Sequence, residues 1–318
     1  MDFKSLTYFL TVAEEKNFTH AAKKLHMSQP PLSSQIKGLE EELGTKLFLR
    51  GGRRLHLTPE GKLFLQRTRQ ILALSEQTKS EIRSLSGELS GTIHLGLVGA
   101  RTPFFTARWI TAFHKKFPLV KFHLRNGSTD DVIRQMKNGM ADLGVVAVPY
   151  NQEHLNGMVV GREPWVAILP AKHPLAEKNK NDQIPLQDLV GHPLITPHRR
   201  YRIEAIHQWF ASIDAEPDIF CEMSDFMDAV AMVEQGGGIA VFPHTTYTPG
   251  SLVTTRVIVN PAKYAEYAIV WDRTDTMSLQ AHEFLSFVRD YLRKNRPEAR
   301  TPLMGFPAFQ IPAGARLL

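Results

Sequence analysis

A chain of 318 residues with 43% hydrophobic and 22% charged side chains has room for two or three packed domains and the make-up of a soluble globular protein. No stretch approaches the roughly 18 apolar residues of a membrane span, and the opening MDFKSLTYFL lacks the apolar run of a signal peptide. A single cysteine, Cys221, excludes an intramolecular disulfide and points to a reducing cytoplasm, while a formal charge of +6 mildly favours a polyanionic partner.

Residues 3–15 form an amphipathic helix whose buried stripe is Leu6, Phe9, Leu10 and Ala13. Asn17 and Phe18 break it. The stretch 18–37, FTHAAKKLHMSQPPLSSQIK, then reads as two short helices with a tight turn at His26 and Met27. Thr19 can cap the first, and Ala21 and Ala22 let a neighbour approach closely. Ser28 can cap the second, with Pro30 and Pro31 in its first turn, where amides have no intrahelical partner. On that second helix Leu32, Ile36 and Leu39 face the core. Gln29, Ser33 and Lys37 recur every four residues on another face, and their amide, hydroxyl and ammonium groups suit base edges and phosphates. An ordinary helix pair with a solvated polar face fits the same letters.

A leucine-glycine stop at 43–44 leads to two short strands, about 46–50 and 54–58, joined through Gly51 and Gly52. Arg50, Arg53 and Arg54 at this bend have no core role. They belong to a solvated loop or to a wing against phosphates and the minor groove. Thr58 and Pro59 open a long helix to about residue 86, with Glu60 at its positive end. Its seam, Ile71, Leu74, Thr78, Ile82 and Leu85, suits packing on a second copy or on the rest of the chain.

After a Gly-Ser break at 86–91 the rhythm becomes strand, helix, strand, helix, strand over about 92–147, a parallel α/β layout. A second unit follows, with helices near 203–212 and 225–234 and strands near 166–169, 194–195 and 239–242. A strand at 265–271 and a helix at 279–294 close the ordered part. The segment 296–318, rich in proline, glycine and alanine, reads as a flexible tail.

Residues 1–87 resemble the N-terminal part of LysR-type transcriptional regulators. The resemblance rests on FKSLTYFLTVAEEKNFTHAAKKLHMSQPPLSSQIKGLEEELGTKLF, the arginines that follow, and LTPEG. GTIHLGLV, FPLVKFHLRNGST, MKNGMADLGVV and MVEQGGGIAVFP extend it through the second half. The fold class implied is an α/β effector domain of two Rossmann-like, periplasmic-binding-protein-like subdomains, preceded by an α-rich winged helix-turn-helix and a long linker helix. The implied division is 1–58 for DNA binding, 59–87 for dimerisation and 88–295 for effector binding. Within the last, subdomain I spans 88–161 and 266–295 and subdomain II spans 162–265. By the same resemblance Gln29, Pro30, Ser33, Ser34 and Lys37 lie on the recognition helix, Thr19 on the helix before it supplies a capping hydroxyl near the DNA backbone, and Arg50, Arg53 and Arg54 lie on the wing. Ser34 departs from the arginine that many members carry there. Expected partners are double-stranded promoter DNA, a second copy in dimers or tetramers, a small-molecule effector and RNA polymerase. Effector binding is expected to close one subdomain on the other.

Ligands of α/β layers sit at the carboxyl ends of strands, among helix N-termini. Three loops meet there: Ala100, Arg101 and Thr102; Ser128 and Thr129; and Thr196, His198 and Arg199. Hydroxyls and cations together suit an organic anion, such as a carboxylate, with Phe226 and Phe242 as an apolar wall. Helix capping and a solvated basic turn account for the same residues equally. No nucleophile motif, zinc spacing or phosphate-binding glycine loop is present, and Gly236–238 precede a strand rather than a helix. No catalytic residue, metal or cofactor is therefore expected. The alternative reading is a small-molecule-binding or enzymatic α/β protein with an incidental helical N-terminus, and the first 58 residues discriminate the two.

Overall fold

The computed structural model describes residues 1–49, 55–84, 89–99, 102–178, 182–245, 250–273 and 277–294. Arg50, Arg53, Arg54, Leu85, Ala100, Arg101 and the tail 296–318 lie outside the described residues.

Helices α1 (Phe3–Glu15), α2 (Phe18–Lys24) and α3 (Gln29–Leu43) pack with the two-residue strands β1 (Phe48–Leu49) and β2 (His56–Leu57), which pair antiparallel. Val12 is fully buried on α1, and Leu10 is only half-buried. Phe9 lies 5.3 Å from the Phe48 ring and 4.7 Å from the Phe64 ring, tying α1 to β1 and to α4 (Pro59–Ser84). The Thr58 hydroxyl accepts from the Gly61 amide at 2.9 Å and donates to the Lys46 carbonyl at 2.7 Å. A Cβ at Gly61 would stand 2.1 Å from the Leu47 carbonyl oxygen, so only glycine lets α4 start against β1.

Two expectations about caps are corrected. Asn17, not Thr19, caps α2: its Oδ1 accepts from the amides of Thr19 at 2.8 Å and His20 at 3.1 Å. The residue that stops α1 thus starts α2. Ser28 holds the N-cap position of α3 but makes no capping bond. A cap side chain accepts from the second or third helical amide, and here those residues are Pro30 and Pro31, which have none.

The α/β half is one mixed ten-stranded sheet. Strands β3 (Gly91–Leu97), β4 (Val120–Asn126) and β5 (Leu143–Ala147) run parallel, connected by α5 (Thr102–Lys116) and α6 (Thr129–Lys137). The short strand expected near 166–169 is the last part of β6 (Leu155–Pro170), which runs unbroken for 16 residues. Its first part pairs with β12 (Tyr264–Asp272), and its last part pairs with β10 (Ile239–Pro243) and β11 (Val253–Val259). Pro164 and Trp165 mark the change of partners. Parallel β8 (Pro193–Pro197) and β9 (Asp218–Met223) extend the second part, and the short β7 (Gln183–Pro185) pairs with β11. The sequence reading missed β7, β9 and β11. Strand β9 alternates exposed and half-buried residues at the sheet's end and lacks the apolar run by which a central strand is recognised.

Helices α8 (Arg200–Ala211) and α9 (Phe226–Glu234) cover opposite faces of the second part. Leu194, Ile206, Trp209 and Val241 form one core layer; Ile195, Val230, Val233 and Phe242 form the other. A short α7 (Pro174–Lys178) lies beside the first of these layers, through Leu175 and Ala176. Helix α10 (Leu279–Lys294) returns to the first part, where Phe284 meets the rings of Phe113 and Phe122 at 5.1 Å each.

Candidate DNA interface and effector cleft

The part of α3 turned away from Leu32, Ile36 and Leu39 is open to solvent, and the Gln29–Ser33–Lys37 line borders it. Gln29, Pro30, Ser34 and Lys37 are exposed there and Ser33 is half-buried. The Thr19 hydroxyl donates to Gln29 Oε1 at 3.4 Å, which holds the amide at the start of the helix. Lys37 reaches Glu41 at 3.5 Å in an exposed pair of little energetic weight, so the ammonium can exchange this partner for a phosphate. His26 turns the chain between α2 and α3 with φ of 54°.

Behind this face lies a residue that sequence reasoning missed. Glu40 is buried, and its Oε1 accepts from the amides of Leu47 at 2.9 Å and Phe48 at 3.2 Å; Lys46 Nζ reaches its Oε2 at 2.9 Å. Burial alone would raise the carboxyl pKa. The Lys46 ammonium and the two amides outweigh it and hold the group below its ordinary range. Glu40 therefore fastens α3 to the strand that begins the wing. Its place in a run of three glutamates, Glu40, Glu41 and Glu42, hid it among solvated acids.

Along α4 the expected seam is uncovered in the single chain. Leu74 and Ile82 are 58% and 63% exposed, Thr78 is exposed and donates to the Leu74 carbonyl at 2.9 Å, and Ile71 is half-buried.

In the α/β half, the predicted cleft residues divide by what their polar atoms already hold. Thr102 donates to the Val98 carbonyl and, at 3.2 Å, to that of Gly99. Ser128 and Asp131 form a capping box on α6, and Asp131 is held below the usual carboxylate range chiefly by its bonds from Ser128. Thr129 Oγ1 accepts from the Ala147 amide at 3.2 Å, joining the start of α6 to the end of β5. Helix α6 sits close on the sheet because Gly144 lies beneath it; a Cβ there would stand 2.7 Å from Val132 Cγ1. The Thr196 hydroxyl differs: it is fully buried, at the end of β8, and has no hydrogen-bond partner among the described residues.

His198 is exposed, with its amide donating to the Met223 carbonyl at 3.0 Å. Phe226 meets Phe242 edge-on at 5.7 Å within the layer under α9. By strand alternation Thr196 shares the face of Leu194, under α8, so Phe226 and Thr196 lie on opposite faces of the sheet. Arg199, just before α8, reaches across to α6: its Nη2 is 3.1 Å from both carboxylate oxygens of Asp130. Its guanidinium also stacks 4.7 Å from the Tyr201 ring centre. Arg202 is buried over the rings of Trp165 at 5.3 Å and Tyr201 at 5.1 Å, adding a second guanidinium to this end of α8. Beneath it Tyr267 is fully buried, and burial pushes its phenol far above its ordinary pKa, so it stays neutral. In the sequence Asp130 is an ordinary acid in the first turn of a helix, and a buried Arg202 gives no signal in a helix that also carries exposed arginine.

A helix pair with an open polar face, a following two-stranded wing, a long helix and a two-part α/β sheet define the class: a DNA-binding module carried with a ligand-binding module. Comparison with known proteins agrees. The model for the bacterial regulatory helix-turn-helix protein, lysR family, matches residues 3–62, and that for the LysR substrate binding domain matches residues 86–293. The HTH-type transcriptional regulator AlsR of Bacillus subtilis is 31% identical over 288 residues, covering 89% of this chain and 94% of its own. The crystal structure of CbnR, a LysR family transcriptional regulator, superposes with a TM-score of 0.71 at 22% identity, over 91% of this chain and 99% of its own; CbnR has also been solved complexed with its target DNA. The chain belongs to the LysR family of transcriptional regulators, DNA-binding proteins with an effector-binding domain.

Proposed function

We propose that residues 1–58 read promoter DNA, 59–87 pair two copies, and 88–295 bind an organic anion, with a carboxylate as the chemical class. Gln29 and Ser33 contact base edges; Thr19, Pro30, Ser34 and Lys37 line the sugar-phosphate backbone, with Arg50, Arg53 and Arg54 on the wing. Leu74, Thr78 and Ile82, with Ile71 and Leu85, pack against a second copy, and dimers pair into tetramers. The effector sits where α6 and α8 begin, near Thr196 and Arg199, with Ala100, Arg101, Thr102, Ser128, Thr129 and His198 around it; Phe226, expected as a wall, belongs instead to the layer under α9. Its differential affinity for two arrangements of the lobes changes how the protomers hold DNA and meet RNA polymerase. The chain acts in the cytoplasm and catalyses no reaction.

The observation that carries the DNA reading is the run of Gln29, Ser33 and Lys37 on α3, with Gln29 and Lys37 exposed and Ser33 half-buried, beside the buried Leu32, Ile36 and Leu39. Gel shifts of genomic fragments with wild type and the Gln29→Ala/Ser33→Ala variant test it. Selective binding lost in the variant is expected; wild-type binding that is sequence-blind and only salt-sensitive would overturn it.

A further inference from the structure

The geometry points to Asp130 as an internal anion that occupies the carboxylate site of Arg199 and ties the two walls of the cleft until an external carboxylate takes its place. This rests on the effector reading above and names the group the effector must displace.

The pair is asymmetric. Arg199 is 20% exposed and Asp130 is 74% exposed. A guanidinium with that little water around it needs an anion, whereas a carboxylate so open to solvent loses little on leaving. Exchange of Asp130 for another carboxylate therefore leaves one well-hydrated charge and one paired charge. The tie directly links the first turn of α6 to the residue preceding α8, positions 69 apart in the chain. The buried, unpartnered Thr196 hydroxyl lies three residues before Arg199, at the end of β8, and supplies the donor that Asp130 leaves unused. With the walls joined before any ligand arrives, the effector replaces a tie rather than creating one. Its affinity is set by what it gains over Asp130.

Pulsed electron paramagnetic resonance on the full chain, with spin labels at Lys137→Cys and His207→Cys in a Cys221→Ser background, reads the wall-to-wall distance. Without ligand, wild type should give one narrow distance, Asp130→Asn and Arg199→Gln a broader and longer one, and the charge-swapped Asp130→Arg/Arg199→Asp pair should restore the narrow one. Acetate, succinate and benzoate, each against chloride at equal ionic strength, are then titrated. A binder should shift wild type to the Asp130→Asn distribution, bind Asp130→Asn about two- to fivefold more tightly, and leave Arg199→Gln unchanged. Identical ligand-free distances in wild type and Asp130→Asn would overturn the tie, and equal affinities would overturn the competition. Absence of binding to every variant counts against the carboxylate reading of the cleft, and the ligand-free distances still decide the tie.

Discussion

The proposed reading face of α3 and the proposed effector cleft differ in how they are built. The first comes from one helix: Gln29, Ser33 and Lys37 share a face because helical geometry puts them there, and Leu32, Ile36 and Leu39 fix which way that face points. The second is assembled from strand ends and helix starts as far apart as Thr102 and Arg199. Its polar atoms are spent unequally, with Thr102, Ser128 and Thr129 bonded internally and Thr196 without a partner among the described residues. A site on one element is specified by periodicity; a site between elements is specified by which hydrogen bonds the fold has already used.

The strongest test of the first region goes through its support. Glu40→Ala leaves the buried amides of Leu47 and Phe48 without an acceptor and should cost about 2–4 kcal/mol in urea unfolding. Glu40→Gln keeps an acceptor and should cost less. Because the folded carboxyl is depressed, its contribution is fully present above the ordinary carboxylate range. It is lost as pH falls through the folded value. The stability gap between wild type and Glu40→Gln should therefore narrow on acidification; a gap that widens contradicts the assignment. On the exposed face, Gln29→Ala should reduce discrimination between cognate and altered operators by about 1–3 kcal/mol, measured by competition binding. Lys37→Ala should weaken all sequences alike and lower the salt slope by about one.

The same contrast governs what could be read in advance. Apart from the short α7, the helices and the parallel strands β3, β4 and β5 announced themselves through period and punctuation. Glu40 did not, since burial is a tertiary fact and its neighbours Glu41 and Glu42 are ordinary exposed acids. Of strand β6 only the piece near 166–169 is legible, because Pro164 and the change of partners interrupt its apolar run, although the backbone continues through them. Asp130 looked like a helix-opening acid, and its partner Arg199 is a distant residue that no local pattern connects to it.

In the cleft, two threonines with the same chemistry should respond oppositely. Thr129→Val removes the acceptor of the buried Ala147 amide and should destabilise by about 1–2 kcal/mol. Thr196→Val replaces an unpartnered buried hydroxyl with a methyl of similar volume and should be neutral or stabilising by up to about 1 kcal/mol. Thermal unfolding of the two variants decides. Equal losses would mean that the Thr196 hydroxyl is satisfied in solution and is not reserved for a ligand.

The smallest expected effect separates the two helix caps of the reading module. Asn17→Ala removes an acceptor from two α2 amides and should cost about 1 kcal/mol. Ser28→Ala should change stability by less than about 0.5 kcal/mol, because Pro30 and Pro31 leave the serine nothing to cap. If Ser28→Ala nonetheless weakens DNA binding at unchanged stability, the hydroxyl faces the nucleic acid rather than the helix. The proline pair then has a second consequence: it withholds from the serine the intrahelical bond that would otherwise occupy it, leaving that hydroxyl available at the mouth of the reading face.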